Sequence, residues 1–236
     1  MTRHSYATGP WSGGQRNVHV PARSIITPTG TIIRGRFPSV TARRMVGFEQ
    51  LLERDALYLC DFAPQVVDIR EQPFKLQYTM GNKVRRYTPD YALILKDDSS
   101  LIIEVKPARS LAKSEIREKL LYIRDAMRRQ GHQFIVLSSD TVRAPHRLDN
   151  LKQLHRDLRQ PLSTEDILVK QQLSDCFGAS TQVAMGLLSQ WLRSTVPVLR
   201  LLAHGQVSCD LNQLITDDTL ITLAKQEADY VFVDSL

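Results

Sequence analysis

The segment "LIIEVK", Leu101 to Lys106, reads as a buried strand that carries a carboxylate and an ammonium within it. Successive side chains of a strand point to opposite faces, so Glu104 and Lys106 share one. Burying charges costs free energy unless they are paired or bind a metal. The segment is therefore either the wet face of an edge strand or part of a site. A second apolar run, "RYTPDYALIL", precedes it, with the turn-forming "KDDSS" between the two. A hairpin folded about Asp97, Asp98 and Ser99 brings Asp90 opposite residues 104–107.

Three charged groups then converge: Asp90, Glu104 and Lys106. Close carboxylates repel unless a cation sits between them. All-oxygen ligation suits Mg²⁺ or Mn²⁺ and gives zinc little reason to bind. An adjacent lysine can orient or help activate a metal-bound water. Phosphodiester hydrolysis needs such an assembly, in which phosphate charge is neutralised and a hydroxide forms near neutral pH.

The bulk composition is compatible with this chemistry. The 236 residues suffice for one large domain or a medium and a small one, and 42% hydrophobic content supports a packed core. No apolar run approaches the ~20 residues that span a bilayer, and the N-terminus lacks the apolar stretch of a secretory signal. The cysteines, Cys60, Cys176 and Cys209, are scattered without a C-x-x-C, which fits a cytoplasmic protein and argues against a zinc site or disulfide framework. Charge is uneven: residues 1–160 hold 27 Lys/Arg against 16 Asp/Glu, and residues 161–236 hold 4 against 9. The basic part suits a polyanion such as double-stranded DNA, with a merely solvated surface as the alternative. The asymmetry points to two parts with different partners.

Residues 1–44 carry 7 Arg, no acidic residue and recurrent Gly and Pro, and read as a basic extended arm with a short hairpin around Pro28, Thr29 and Gly30. Apolar spacing predicts a helix over residues 45–61. "VVDIREQ", "FKLQYTM", "RRYTPDYALILK" and "LIIEVK" follow as strands, then an amphipathic helix ending at Gly131, the strand "QFIVLSS" and the helical "HRLDNLKQLHRDLR". This order describes an α/β domain over residues 45–160, a mixed sheet flanked by helices. Pro161 marks a restart, with Ser163 or Thr164 as a helix cap. Residues 161–236 then read as two helices and a hairpin turning near His204 and Gly205, a winged-helix-like layout, with Trp191 in its core. His132, His146 and His155 read as surface residues.

Asp90 with Glu104-Val105-Lys106 resembles the PD-(D/E)xK nuclease superfamily. "FEQLLERDALYLCDFAPQVVDIREQPFKLQY", "YTPDYALIL" and "IIEVKPARSL" together resemble TnsA, the endonuclease subunit of heteromeric transposases. The resemblance is clear over residues 30–140. It implies a restriction-endonuclease-like fold and a metal-dependent DNA endonuclease that cuts the 5′ strands at transposon ends. It implies as partners a DDE-type transposase subunit, TnsB, and an ATP-dependent regulator, TnsC. It places metal-binding carboxylates at Glu53, Asp90 and Glu104, with the Val105 carbonyl as a further ligand, Lys106 beside them and two ions per site. Some relatives carry Gln at the position of Glu104. Glu49 shares a helix face with Glu53 and is the other carboxylate that could reach the metal. Gln72, Lys75, Arg86, Arg109 and Lys113 are candidates for DNA contact. Two other readings stay open: a free-standing restriction or repair nuclease, and a non-catalytic assembly subunit that binds DNA. The acidic C-terminal part reads as a protein-docking module.

Overall fold

The computed structural model describes residues 19–22, 33–178, 182–223 and 232–236. The hairpin expected at Pro28–Gly30 lies outside them. The chain forms two compact units, Met1–Arg54, Gln65–Thr141 and Phe232–Leu236 in the first, Asp55–Pro64 and Val142–Val231 in the second. The division falls after Thr141, not at Pro161, because the helix before Pro161 is built into the second unit. Among the described residues no helix is long and apolar enough to cross a membrane.

The first unit opens with an antiparallel pair, β1 (Gly35–Ser39) and β2 (Arg44–Phe48), followed by the first turn of helix α1 (Leu51–Asp61), whose residues from Asp55 belong to the second unit. The expected helix from residue 45 therefore begins six residues later than the spacing predicts, at Leu51. Residues 44–48 are claimed by pairing: Arg43 turns the chain with φ 53°, and Arg44 anchors the strand. Its guanidinium donates to both Glu71 carboxylate oxygens (2.9 and 2.6 Å) and to the Ile69 carbonyl (2.8 Å). Tertiary bonding here overrides local apolar spacing.

The main sheet runs β3 (Val66–Glu71), β6 (Tyr91–Leu95), β7 (Ser100–Lys106), β8 (Gln133–Ser138), with β4 (Leu76–Met80) and β5 (Lys83–Tyr87) as a separate hairpin. The β4–β5 loop begins at Gly81, whose φ of 59° few side chains tolerate. "RRYTPDYALILK", expected as one strand, is broken into β5 and β6 at Thr88-Pro89-Asp90. Pro89 supplies no N–H to a ladder and holds Thr88 away from helix. β6 pairs antiparallel with β7 and β7 parallel with β8. The parallel crossover contains α2 (Ala108–Leu111) and α3 (Ser114–Arg129), ended by Gly131 at φ 79°. Leu120, Ile123 and Met127 of α3 pack with Ile102, Ala92 and Phe134 of the sheet and Leu76 and Tyr78 of the hairpin. The outer edge of β8 is covered by the last described residues: Ser235 N–H donates to the Val136 carbonyl (2.8 Å) and Val136 N–H to the Asp234 carboxylate (3.0 Å).

After the short α4 (Ser139–Val142), the second unit contains α5 (Arg147–Leu158), α6 (Thr164–Phe177), β9 (Gln182–Ala184), α7 (Met185–Leu192), α8 (Val196–Ala203) and β10 (Leu220–Thr222). β9 pairs antiparallel with β10, and Ser208 bridges Thr222. The hairpin expected to turn near His204 is instead helix α8. Pro197 stands in its first turn, Val198, Leu201 and Leu202 are buried, and Gly205 follows its end at φ 62°. Helix α5 belongs here because buried Asn150 donates to the Leu211 and Gln213 carbonyls (2.9 and 2.7 Å). His155, expected at the surface, is buried with its Nε2 3.1 Å from an Asp61 oxygen. Trp191, expected in the core, is 45% exposed.

Ser163 caps α6 in a capping box with Asp166. Burial alone would raise the Asp166 carboxyl, but the Ser163 donors and the Arg200 charge hold it below the usual carboxylate range. A depressed folded pKa contributes stability above the unfolded value, and that contribution is lost as pH falls through the folded one. Asp166→Ala is therefore expected to cost about 1 kcal/mol at pH 7. Urea unfolding of both proteins at pH 7 and pH 3 should show the difference shrinking at the lower pH.

Candidate active site

The site grows from the end of the β6–β7 ladder. The register pairs Tyr91 with Ile103 and Ala92 with Ile102. One step further, Asp90 faces Glu104, as expected from the hairpin turn. Beyond Tyr91 the ladder has no β6 partner for Val105, and the Asp90 carboxylate takes its place, accepting from Val105 N–H at 2.8 Å. Asp90 is held in turn by its backbone: Gln72 N–H donates to its carbonyl at 2.8 Å.

Glu104 is 3% exposed, and its two oxygens have separate partners. Lys106, two residues on and on the same face, pairs with Oε1, and the Tyr87 hydroxyl donates to Oε2. Lys106 Nζ also lies 3.5 Å from the Val105 carbonyl. Glu53 stands in the first turn of α1, buried, with Oε2 accepting from the Glu49 N–H at 2.7 Å. Glu49 itself lies 3.9 Å from the Arg34 guanidinium. Glu49 precedes α1 and so does not share with Glu53 the helix face that the spacing predicts; Glu53 is the one that senses the Glu104 and Lys106 charges.

Electrostatics reflect the crowding. Burial, followed by the Glu49 and Glu104 charges, pushes the Glu53 carboxyl up to about 7, against the pull of the Glu49 N–H. Burial and then the Glu104 charge push Asp90 well above its usual range, with Lys106 opposing. Burial would lower the Lys106 ammonium, but Glu104, Asp90 and Glu53 hold it above its ordinary value. Burial and the Glu104 charge likewise raise the Tyr87 phenol, keeping it a proton donor. Among the described residues no three His, Cys, Asp or Glu side chains are already drawn together as a metal cage. The carboxylates are instead turned to internal donors.

The other predicted residues divide. Gln72 is buried beside Asp90 with φ 43°, and its Oε1 is buried without a hydrogen-bond partner. Lys75, just before β4, and Arg86, on β5, are exposed, and the β4–β5 hairpin also carries exposed Lys83 and Arg85. Arg109 and Lys113 are exposed on α2 and before α3. Further along α3 the cations are internally engaged: Arg124 with Asp234, and Arg128 and Arg129 with Asp125. Tyr87 was missed by sequence reasoning. Its signal was the Thr-Pro break after it, which ends β5 and lets the phenol meet Glu104.

The raised Glu53 carboxyl has a consequence for stability. The folded state keeps a proton that the unfolded chain releases near pH 4–5. Its contribution is full below the unfolded value and lost as pH rises through about 7. In chelator, melting temperature is expected to fall between pH 5 and pH 8, and Glu53→Gln should flatten that slope in calorimetric scans.

Residues 63–139 match the family described as TnsA-like endonuclease N terminal. Asp90, Glu104 and Lys106 lie inside the matched segment, and Glu53 lies before it. None of the curated proteins searched matches the chain. The matched segment contains the β6–β7 hairpin, its acid pair and the lysine, so this part of the chain is similar to a TnsA-like endonuclease N-terminal domain.

Proposed function

We propose that the chain is the metal-dependent DNA endonuclease subunit of a heteromeric transposase and cuts the 5′ strands at transposon ends. The observation that carries this reading is Asp90 facing Glu104 across the end of the β6–β7 ladder, with Lys106 paired to Glu104 and Glu53 within reach of their charges.

The donor set supports a hard divalent ion. Glu53, Asp90 and Glu104 are oxygen donors, two of them pushed toward protonation by burial and mutual charge, so a cation would relieve what a proton now relieves. Those three and the Val105 carbonyl would hold Mg²⁺ or Mn²⁺, in one or two ions, and such ions neutralise a scissile phosphate and generate a hydroxide near neutral pH. Lys106 keeps its proton and serves as an electrostatic and orienting group at the attacked phosphate. Gln72, with its unpartnered amide oxygen, would orient a water or a DNA group beside Asp90. Lys75 and Arg86, with Arg109 and Lys113, offer phosphate contacts that carry no base preference of their own.

Such contacts do not select a site, so the transposase subunit would supply the end recognition and a regulator of the TnsC kind the licence. The second unit suits a docking role. It contributes most of the acidic C-terminal third, which repels DNA. Its order α6, β9, α7, α8, the Ser208 bridge and β10 supports the winged-helix-like reading, with residues 209–219 in the place of the wing.

The test is strand-resolved cleavage of labelled transposon-end DNA. Nicks on the 5′ strands are expected with Mg²⁺ or Mn²⁺ and the transposase present, and only weak cutting by the protein alone. Asp90→Ala should abolish them while the circular dichroism spectrum is kept, and Lys106→Ala should depress turnover more than metal binding. Sequence-specific double-strand cutting without a partner would favour a free-standing nuclease. Full activity in EDTA would sink the metal mechanism.

A further inference from the structure

Tyr87 stands at the Glu104 carboxylate with no part in the chemistry above. Its hydroxyl donates to Oε2 while Lys106 pairs with Oε1. The two donors differ in kind. Lys106 brings a positive charge that competes with a cation for the carboxylate. A phenol is a neutral donor, so it fixes the direction of the carboxylate and leaves its negative charge available. Each carboxylate oxygen accepts about two bonds, so Oε2 keeps capacity for a metal while Tyr87 is bound. A hydrogen bond of this kind to a ligating carboxylate orients it.

Tyr87 is itself held from two directions. It pairs with buried Leu76 across the β4–β5 hairpin. Its ring meets Phe134 of β8 edge-on, with centroids 6.5 Å apart and planes at 83°. Immediately before it stand Arg85 and Arg86, exposed on the same strand.

We infer that Tyr87 is a positioning residue for Glu104, and that through it the basic β4–β5 hairpin is joined to the metal site. The inference rests on the reading of Glu104 as a metal ligand. Tyr87 presents the carboxylate to the ion, and the strand that carries it also carries the side chains offered to DNA.

The experiment is Mn²⁺ binding to the full chain without DNA, read from the paramagnetic resonance of free Mn²⁺. Tyr87→Phe should weaken binding roughly 10–100-fold. Tyr78→Phe, a buried phenol of the same hairpin that does not touch Glu104, should leave it unchanged. In a Glu104→Gln background the Tyr87→Phe effect should vanish, because the tyrosine acts through that carboxylate. Wild-type affinity or tighter binding in Tyr87→Phe overturns the inference while leaving the nuclease reading intact. No Mn²⁺ uptake by the wild-type protein overturns both. Should Tyr87→Phe fail to fold, carbon-13 at the tyrosine Cζ of the wild-type chain decides. A Tyr87 resonance that moves on adding Mg²⁺ is expected, and one that stays still overturns the inference.

Discussion

The Glu104 carboxylate sits inside a strand bonded on both sides, and the Lys106 ammonium beside it makes that burial tolerable. An uncompensated buried carboxylate costs several kcal/mol. Much of the local architecture serves this pair. The two residues must lie two apart on one strand to share a face. β6 must stop one residue short, so that Asp90 can answer the Val105 N–H with its side chain. Pro89 enforces that stop. The hairpin β4–β5 must turn back to bring the Tyr87 hydroxyl to the second oxygen. Burial first, and then the shortage of positive charge among three acids and one lysine, leave Glu53 and Asp90 holding protons more tightly.

What could be read from the chain depended on whether the signal was local. The β6–β7 hairpin was readable because "KDDSS" marks its turn, and the period of a strand then determines which residues meet. The Asp90–Glu104 juxtaposition follows from that register. The start of α1 was misread because Val46 and Phe48 fit a helical spacing, whereas Arg44 commits the segment to β3 through Glu71, 27 residues away. Helix α8 was misread for a related reason: a short apolar run bounded by glycine looks the same whether it becomes a strand or a buried helix. His155 could not be placed, since its partner Asp61 is 94 residues distant in sequence. Tyr87 escaped because the Thr-Pro break after it marks the end of a strand without showing what the phenol meets. Its importance lies in a contact across 17 residues.

The division of the chain has a similar origin. Pro161 is a genuine start signal, and Ser163 with Asp166 caps a helix just beyond it. A helix start is not a domain boundary, however. Asn150 and His155 bind α5 to the second unit through side chains whose partners lie at residues 211–215 and 61. Side-chain bonds of this range decide membership of a unit, and composition does not register them.

The return of residues 232–236 to β8 changes what the loss of a C-terminus would mean. β8 is the last strand of its sheet, and its outward N–H and C=O groups are met by Asp234 and Ser235. A premature stop anywhere in the final third would remove more than elements of the second unit. It would uncover a row of unpaired strand groups on the nuclease unit itself, a surface prone to pair with other chains.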